Sequence, residues 1–297
     1  MSSSAVFRFL PWCAALIFIG RGYGYFFWGS PVRVLVWDEA LFSPVVRLFG
    51  GEWTAYVTSL RVDEALILTS RIAGVYLMAC GGLALAALRS SRRWLAVPLL
   101  LGTLLLAGHA LLETKDHFYH YAQLFEHAIQ VGTPLLLAFW VWSGRPVRLL
   151  LAVRTLVALT FAAHGLYAIG FYDVPAHFVD MTIRILGVPE ATARQFLWWV
   201  GALDLVVAVA VFLPRVARFA FAYAAVWGFL TALARIVYGW DTLAMGESLH
   251  GHLYQTILRL PHAGVPLLGW CLLGADAGAK EAKRAMKQPS LTSSKED

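Results

Sequence analysis

Apolar and polar positions along this chain separate into long blocks, with little short-period alternation. No Asp, Glu, Lys or Arg lies between Arg71 and Arg89, Arg93 and Glu113, His127 and Arg145, or Arg154 and Asp173. Runs of roughly 17–25 apolar residues cross a bilayer as helices. The same pattern predicts eight transmembrane helices, at about 7–28, 65–88, 94–112, 124–143, 148–171, 195–213, 217–238 and 256–274. The sixth contains Asp204, and the eighth is short. The expected fold class is an all-α integral membrane protein.

The segments at about 31–60 and 174–192 are too polar and interrupted to span. The spacing of Val34, Leu35, Leu41, Phe42, Val45 and Leu48 predicts short amphipathic helices lying on a membrane surface. The start, MSSSAVFRFLPWC, lacks a basic leader and a small-residue cleavage site, so the first run reads as a retained helix. The last residues, 278–297, are polar and read as a disordered tail.

Charge then orients the spans. Arg89, Arg92 and Arg93 join helices two and three; Arg145 and Arg148 join four and five; Arg215 and Arg218 join six and seven. With Arg8 and the tail residues Lys280, Lys283, Arg284 and Lys287, they fall on one side of an eight-helix chain. Short basic loops stay in the cytoplasm, which places both termini inside, in a bacterial inner membrane. The outer loops and outer helix halves then hold all nine histidines.

The two halves resemble each other. VRLFG (46–50) matches IRILG (183–187), each followed by a glutamate, Glu52 or Glu190. WDEALF matches YDVPAHF through Asp38 and Asp173; RGYGYFFWGSP matches HGLYAIGFYDVP through Arg21-Gly22 and His164-Gly165. LFEHAIQVGTPLLL matches RLPHAGVPLLG, with His127 opposite His262 and Pro134 opposite Pro266. The separations stay near 135–145 residues, as one duplication requires. The expected organisation is a four-helix repeat over 1–143, a second over 148–275, and the tail. Four helices per repeat give the halves a common orientation about an axis along the membrane normal.

Composition fits this picture: 59% of the 297 residues are apolar and 14% charged, with a mean hydropathy of +0.65. The net charge of +6 resides at helix ends, so it signals membrane topology and not nucleic-acid binding. Cys13, Cys80 and Cys271 form no CxxC or CxxCH motif and read as small packing residues. No Walker motif, GxSxG elbow or HExxH is present, and no residue is assigned as catalytic.

The motifs HGLYAIG, GALDLVVAVAVFLP and RLPHAGVPLLG resemble those of the DoxX-like membrane proteins, a group including DoxX, DoxD, the methylamine-utilisation protein MauE and the Surf-type cargo receptors. The resemblance covers 148–275 best. RGYGYFFW and DHFYHYAQLFEH are also similar to the helical domain of the vitamin-K-dependent carboxylase group. The first resemblance implies four-helix bundle units and a role as subunit or accessory of a quinone-linked electron-transfer system, with redox or membrane-complex subunits as partners beside the lipid bilayer. Members of the group also include non-enzymatic receptors, so a transporter, receptor or assembly factor is the alternative expectation.

Ionisable residues in hydrocarbon usually face a bundle interior, a cavity or a partner. By that rule His127, His164, His262, Asp204, Arg235, Arg71 and Arg21 are the candidate ligand- or quinone-binding residues. Two roles suit them: hydrogen bonding to a quinone head group, or interhelical bonds that fasten the repeats. A pair of the histidines could also carry haem b. His109 and Glu113, four apart on one helical face, are candidate metal ligands or a plain ion pair.

Overall fold

The computed structural model describes residues 9–90, 92–144 and 148–287, with side chains as far as Ala275. Arg8, Arg145 and residues 288–297 of the expected tail lie outside the described residues. Among the described residues every regular element is helical. Helix α1 (Phe9–Trp28) is followed by the short helices α2 (Arg33–Val36), α3 (Glu39–Leu48) and α4 (Trp53–Val57). Next come α5 (Leu60–Ala86), then a 3-10 turn (Arg93–Leu95) leading into α6 (Ala96–Asp116), then α7 (Tyr121–Glu126) and α8 (Ala128–Ser143). The remainder is α9 (Leu149–Ala168), α10 (Ala176–Leu186), α11 (Glu190–Ala210), α12 (Ala217–Tyr238), α13 (Met245–Arg259) and α14 (Pro261–Lys287).

Among the described residues six stretches are long and apolar enough to cross a membrane: Leu60–Ala86, Arg93–Asp116, Leu149–Ala168, Glu190–Ala210, Ala217–Tyr238 and Met245–Ala275. The protein is therefore a multi-pass membrane protein. Helix α1 falls short of the other spans in hydropathy because Arg21 and a run of glycines and tyrosines occupy its second half. Helix α8 is apolar but only 16 residues long, because the expected helix 124–143 breaks at His127. The expected eighth helix is likewise a pair, α13 and α14, meeting at Leu260–Pro261. Helix α14 also runs on past Gly278, where the tail was expected to begin.

Two apolar cores form. Residues of α1, α5, α6 and α8, such as Phe18, Leu77, Leu99 and Leu137, make one. Residues of α9, α11, α12 and α14, such as Val157, Val211, Phe221 and Leu268, make the other. The two are interlocked: α7 packs on α9, while α13 packs on α1. The outward faces of the long helices remain apolar, as at Leu68, Ile72, Leu104, Val206 and Val226, which suits contact with lipid.

Each core contains close helix crossings at glycine. A Cβ on Gly22 of α1 would lie 2.6 Å from the Gly74 carbonyl oxygen of α5. A Cβ on Gly165 of α9 would lie 2.8 Å from the Gly201 carbonyl oxygen of α11. Small residues at such crossings let backbones approach, which drives helix packing in lipid. The crossings also fix the side chains one residue earlier, Arg21 and His164.

Short helices cover the end of the bundle where the histidines lie. Asp38 caps α3 by accepting from the Leu41 N–H at 3.1 Å. It also pairs with Lys115 at the end of α6, at 2.6 Å. On the other side α10 packs against α11 and α12.

The crossings predict a specific pattern of tolerance. Gly22→Ala and Gly165→Ala should each destabilise the detergent-solubilised protein by about 1–3 kcal/mol, the usual cost of overpacking. Gly82→Ala, within α5 and facing open space, should be neutral or stabilising by up to about 1 kcal/mol through helix propensity. Thermal or denaturant unfolding of the three variants checks this ordering.

Candidate functional site

The site grows out of the two helix breaks. At the first, the His127 N–H turns back to the Leu124 carbonyl, three residues away, at 3.3 Å. This releases the Gln123 carbonyl from its usual helical partner. His127 Nδ1 takes up that carbonyl at 2.8 Å. At the second break Pro261 has no N–H to give. The Ala263 N–H bonds Leu260, not Arg259, at 2.9 Å, and His262 Nδ1 reaches the Arg259 carbonyl at 3.1 Å. Thr160 of α9 accepts the freed Ile129 N–H of α8 at 3.2 Å.

A carbonyl only accepts, so each imidazole must carry its proton on Nδ1. A neutral imidazole then has a bare lone pair on Nε2. Among the described residues the buried His262 Nε2 makes no hydrogen bond, although the Glu126 backbone carbonyl faces the same imidazole.

Between the breaks the histidines converge on Glu126, the last residue of α7. His127 Nδ1 lies 3.8 Å from Glu126 Oε1, and His164 Nε2 lies 3.9 Å from Glu126 Oε2. The His164 and His262 rings are 5.9 Å apart, and the His109 and His127 rings 5.4 Å. Gln123 holds the acid in place: its Nε2 donates to Glu126 Oε1 at 3.1 Å, while its Oε1 accepts from Tyr167 at 3.2 Å. Arg259 and Arg235 bring positive charge near Glu126.

Beside this group lies a cavity of about 480 Å³. Its walls are apolar, from Phe178, Ile185, Leu197, Trp227 and Leu230, with α10 as its roof. His164, His262, Arg235 and Arg259 meet at one end. Arg235 Nε is buried and unbonded. Asp204 lines the same cavity further along, accepting from Tyr223 at 3.5 Å. Trp227 and Arg235, eight residues apart on α12, are separated by about 12 Å of helix rise.

Of the residues singled out in the sequence, the structure brings His164, His262, Arg235 and Asp204 to one cavity, and His127 to its polar edge. Arg21 sits in the neighbouring group, donating to Gln130 at 2.7 Å. Arg71 stands apart on the exposed face of α5, its guanidinium 5.9 Å from the Phe26 ring. His109 Nε2 and Glu113 are 3.8 Å apart, and among the described residues no group of three or more His, Cys, Asp or Glu could hold a metal. Sequence reading missed Glu126, Gln123 and Arg259. Two of them flank the matched histidines, in QLFEH and RLPH, so the repeat itself carried the signal.

No family model matches the chain, and no curated protein and no solved structure matches it.

Proposed function

We propose that the protein is an eight-span membrane protein of two parallel four-helix repeats, with a DoxX-like architecture. Helices α1 and α8 supply the two further spans, α8 with the help of α7. Several features support the repeat. The glycine crossings Gly22–Gly74 and Gly165–Gly201 follow the matched residues Arg21 and His164. The matched VRLFG and IRILG motifs end α3 and α10 with left-handed glycines, Gly50 at φ +75° and Gly187 at φ +66°. Each repeat also breaks its last helix at a matched histidine and lays the preceding piece on the other repeat's first helix. The basic loops favour an inner-membrane orientation with both termini cytoplasmic and the histidine end outside.

In this reading the cavity takes a lipid-soluble ligand of the quinone–quinol class, as part of a membrane electron-transfer system. The observation that carries it is that His164, His262, Arg235 and Arg259 all line an otherwise largely apolar chamber. An acceptor nitrogen there binds a hydroxyl, so the site favours the reduced, hydroxyl-bearing form. Arg235 and Arg259 bring positive charge to the place where oxygen would develop negative charge. The ring and tail lie among Phe178, Leu197 and Leu230, in the manner of small-molecule sites with few placed polar groups. What the ligand supplies is a membrane-soluble carrier of electrons and protons. The chain's own residues bind its head, keep bulk water away and accept its proton.

A second reading, of a subunit or assembly factor without its own chemistry, draws on Arg71. That charge lies on an exposed, otherwise apolar helix face beside Leu68, Ile72 and Val75. A cation in such a position suits an acidic or carbonyl partner from another membrane subunit.

Titrating a soluble-tail quinol into purified protein, read by Trp227 fluorescence, tests the first reading. Saturable quenching is expected, and Arg235→Gln should weaken it by about tenfold or more, the loss of one charge-assisted hydrogen bond. Absence of binding by either quinol or quinone would leave the second reading standing.

A further inference from the structure

We infer that Glu126 is the midpoint of a proton path that joins the cavity to the solvent at the histidine-rich end of the bundle. The groups form a continuous series across both cores. His164 lines the cavity and lies 3.9 Å from Glu126. Glu126 lies 3.8 Å from His127, whose ring is 5.4 Å from that of His109. His109 lies 3.8 Å from Glu113, and Glu113 lies 4.0 Å from His117, whose side chain is 45% exposed.

Acids and imidazoles alternate along this series except in the middle, where the His127 and His109 imidazoles are neighbours. Each transfer at an acid moves one proton between a carboxyl oxygen and an imidazole nitrogen, and the His127–His109 transfer moves one between two imidazole nitrogens, with no other bond made or broken. The gaps at the acids exceed hydrogen-bond length by less than 1 Å. A small side-chain rotation or one bridging water closes each of them. A purely structural network would instead show closed bonds at these atoms. Here, among the described residues, the Glu126 carboxyl accepts only from Gln123, and His109 Nδ1 is buried without a partner.

The charges around Glu126 suit transit. Charges of both signs surround it: Arg235 of α12, Arg259 of α13, Glu113 of α6 and, beside Glu113, His117. His127, His164 and the Tyr167 hydroxyl complete its surroundings, with His262 beyond His164. Neither protonation state is locked by a direct salt bridge.

The inner end of the path rests on the quinol reading of the cavity, but the path can be tested without any ligand. The test is time-resolved infrared spectroscopy of the ligand-free, full-length protein in nanodiscs during transfer to deuterated buffer. Glu126→Gln identifies the Glu126 carboxylic-acid band by its loss. The wild-type band should exchange rapidly. Glu113→Gln and His109→Gln, which remove outer members, should slow exchange by about 10²-fold, the low end of what positioned acid–base groups contribute. Unchanged exchange in either folded variant overturns the path, as does a Glu126 band absent at every pH. Should neither variant fold, wild type decides: exchange no faster than global opening of the bundle overturns it. Failure of quinol binding would leave these rates untouched, so the two readings fail separately.

Discussion

A backbone carbonyl released inside a membrane bundle must find a donor, because hydrocarbon offers none. That constraint organises this protein's polar centre. Two helices break within the bundle, and at each break a histidine side chain donates to the carbonyl that the break released. The bond fixes the imidazole's tautomer, and the tautomer fixes its remaining chemistry. At rest Nδ1 donates to that carbonyl, so Nε2 is left as a hydrogen-bond acceptor, and at His127 the same Nδ1 is the atom nearest Glu126. The residues that stabilise the breaks thus also provide the reactive lone pairs.

The packing makes this arrangement rigid. Glycine crossings hold α1 on α5 and α9 on α11 at backbone contact, which sets the depth of Arg21 and His164. The interlocked pieces α7 and α13 carry Gln123, Glu126 and Arg259 across to the opposite core. The polar centre therefore belongs to neither half alone. This also explains why a single carboxylate, Glu126, has histidines from two different helices within 4 Å.

Much of this was legible in the sequence, for physical reasons. Long apolar runs identify spans because water and lipid sort residues strongly over a full helix length; α12 was predicted at its observed bounds. The breaks were less visible. MGESLHGHLYQTILR looks like a loop by composition, yet α13 forms because its buried face, with Ser248, Thr256 and Leu258, packs inside the bundle. His127, His164 and His262 stood out by repeat position and do converge. Glu126 and Arg259 did not stand out, because charges near a predicted helix end read as solvated. Arg71 shows the opposite failure: its depth along α5 was visible, but the face it occupies was not, since periodicity is weak in a helix apolar on nearly every side.

The central claim is that His262, on the cavity wall, carries its proton on Nδ1 and keeps an unprotonated, buried Nε2. Nitrogen NMR of histidine-labelled protein in nanodiscs, with His262→Gln to assign the signal, tests it most directly. The account predicts the Nδ1-protonated neutral tautomer in the ligand-free state, with its Nε2 resonance moved by hydrogen bonding when a quinol is added. An Nε2-protonated tautomer for His262 in the ligand-free protein would contradict it.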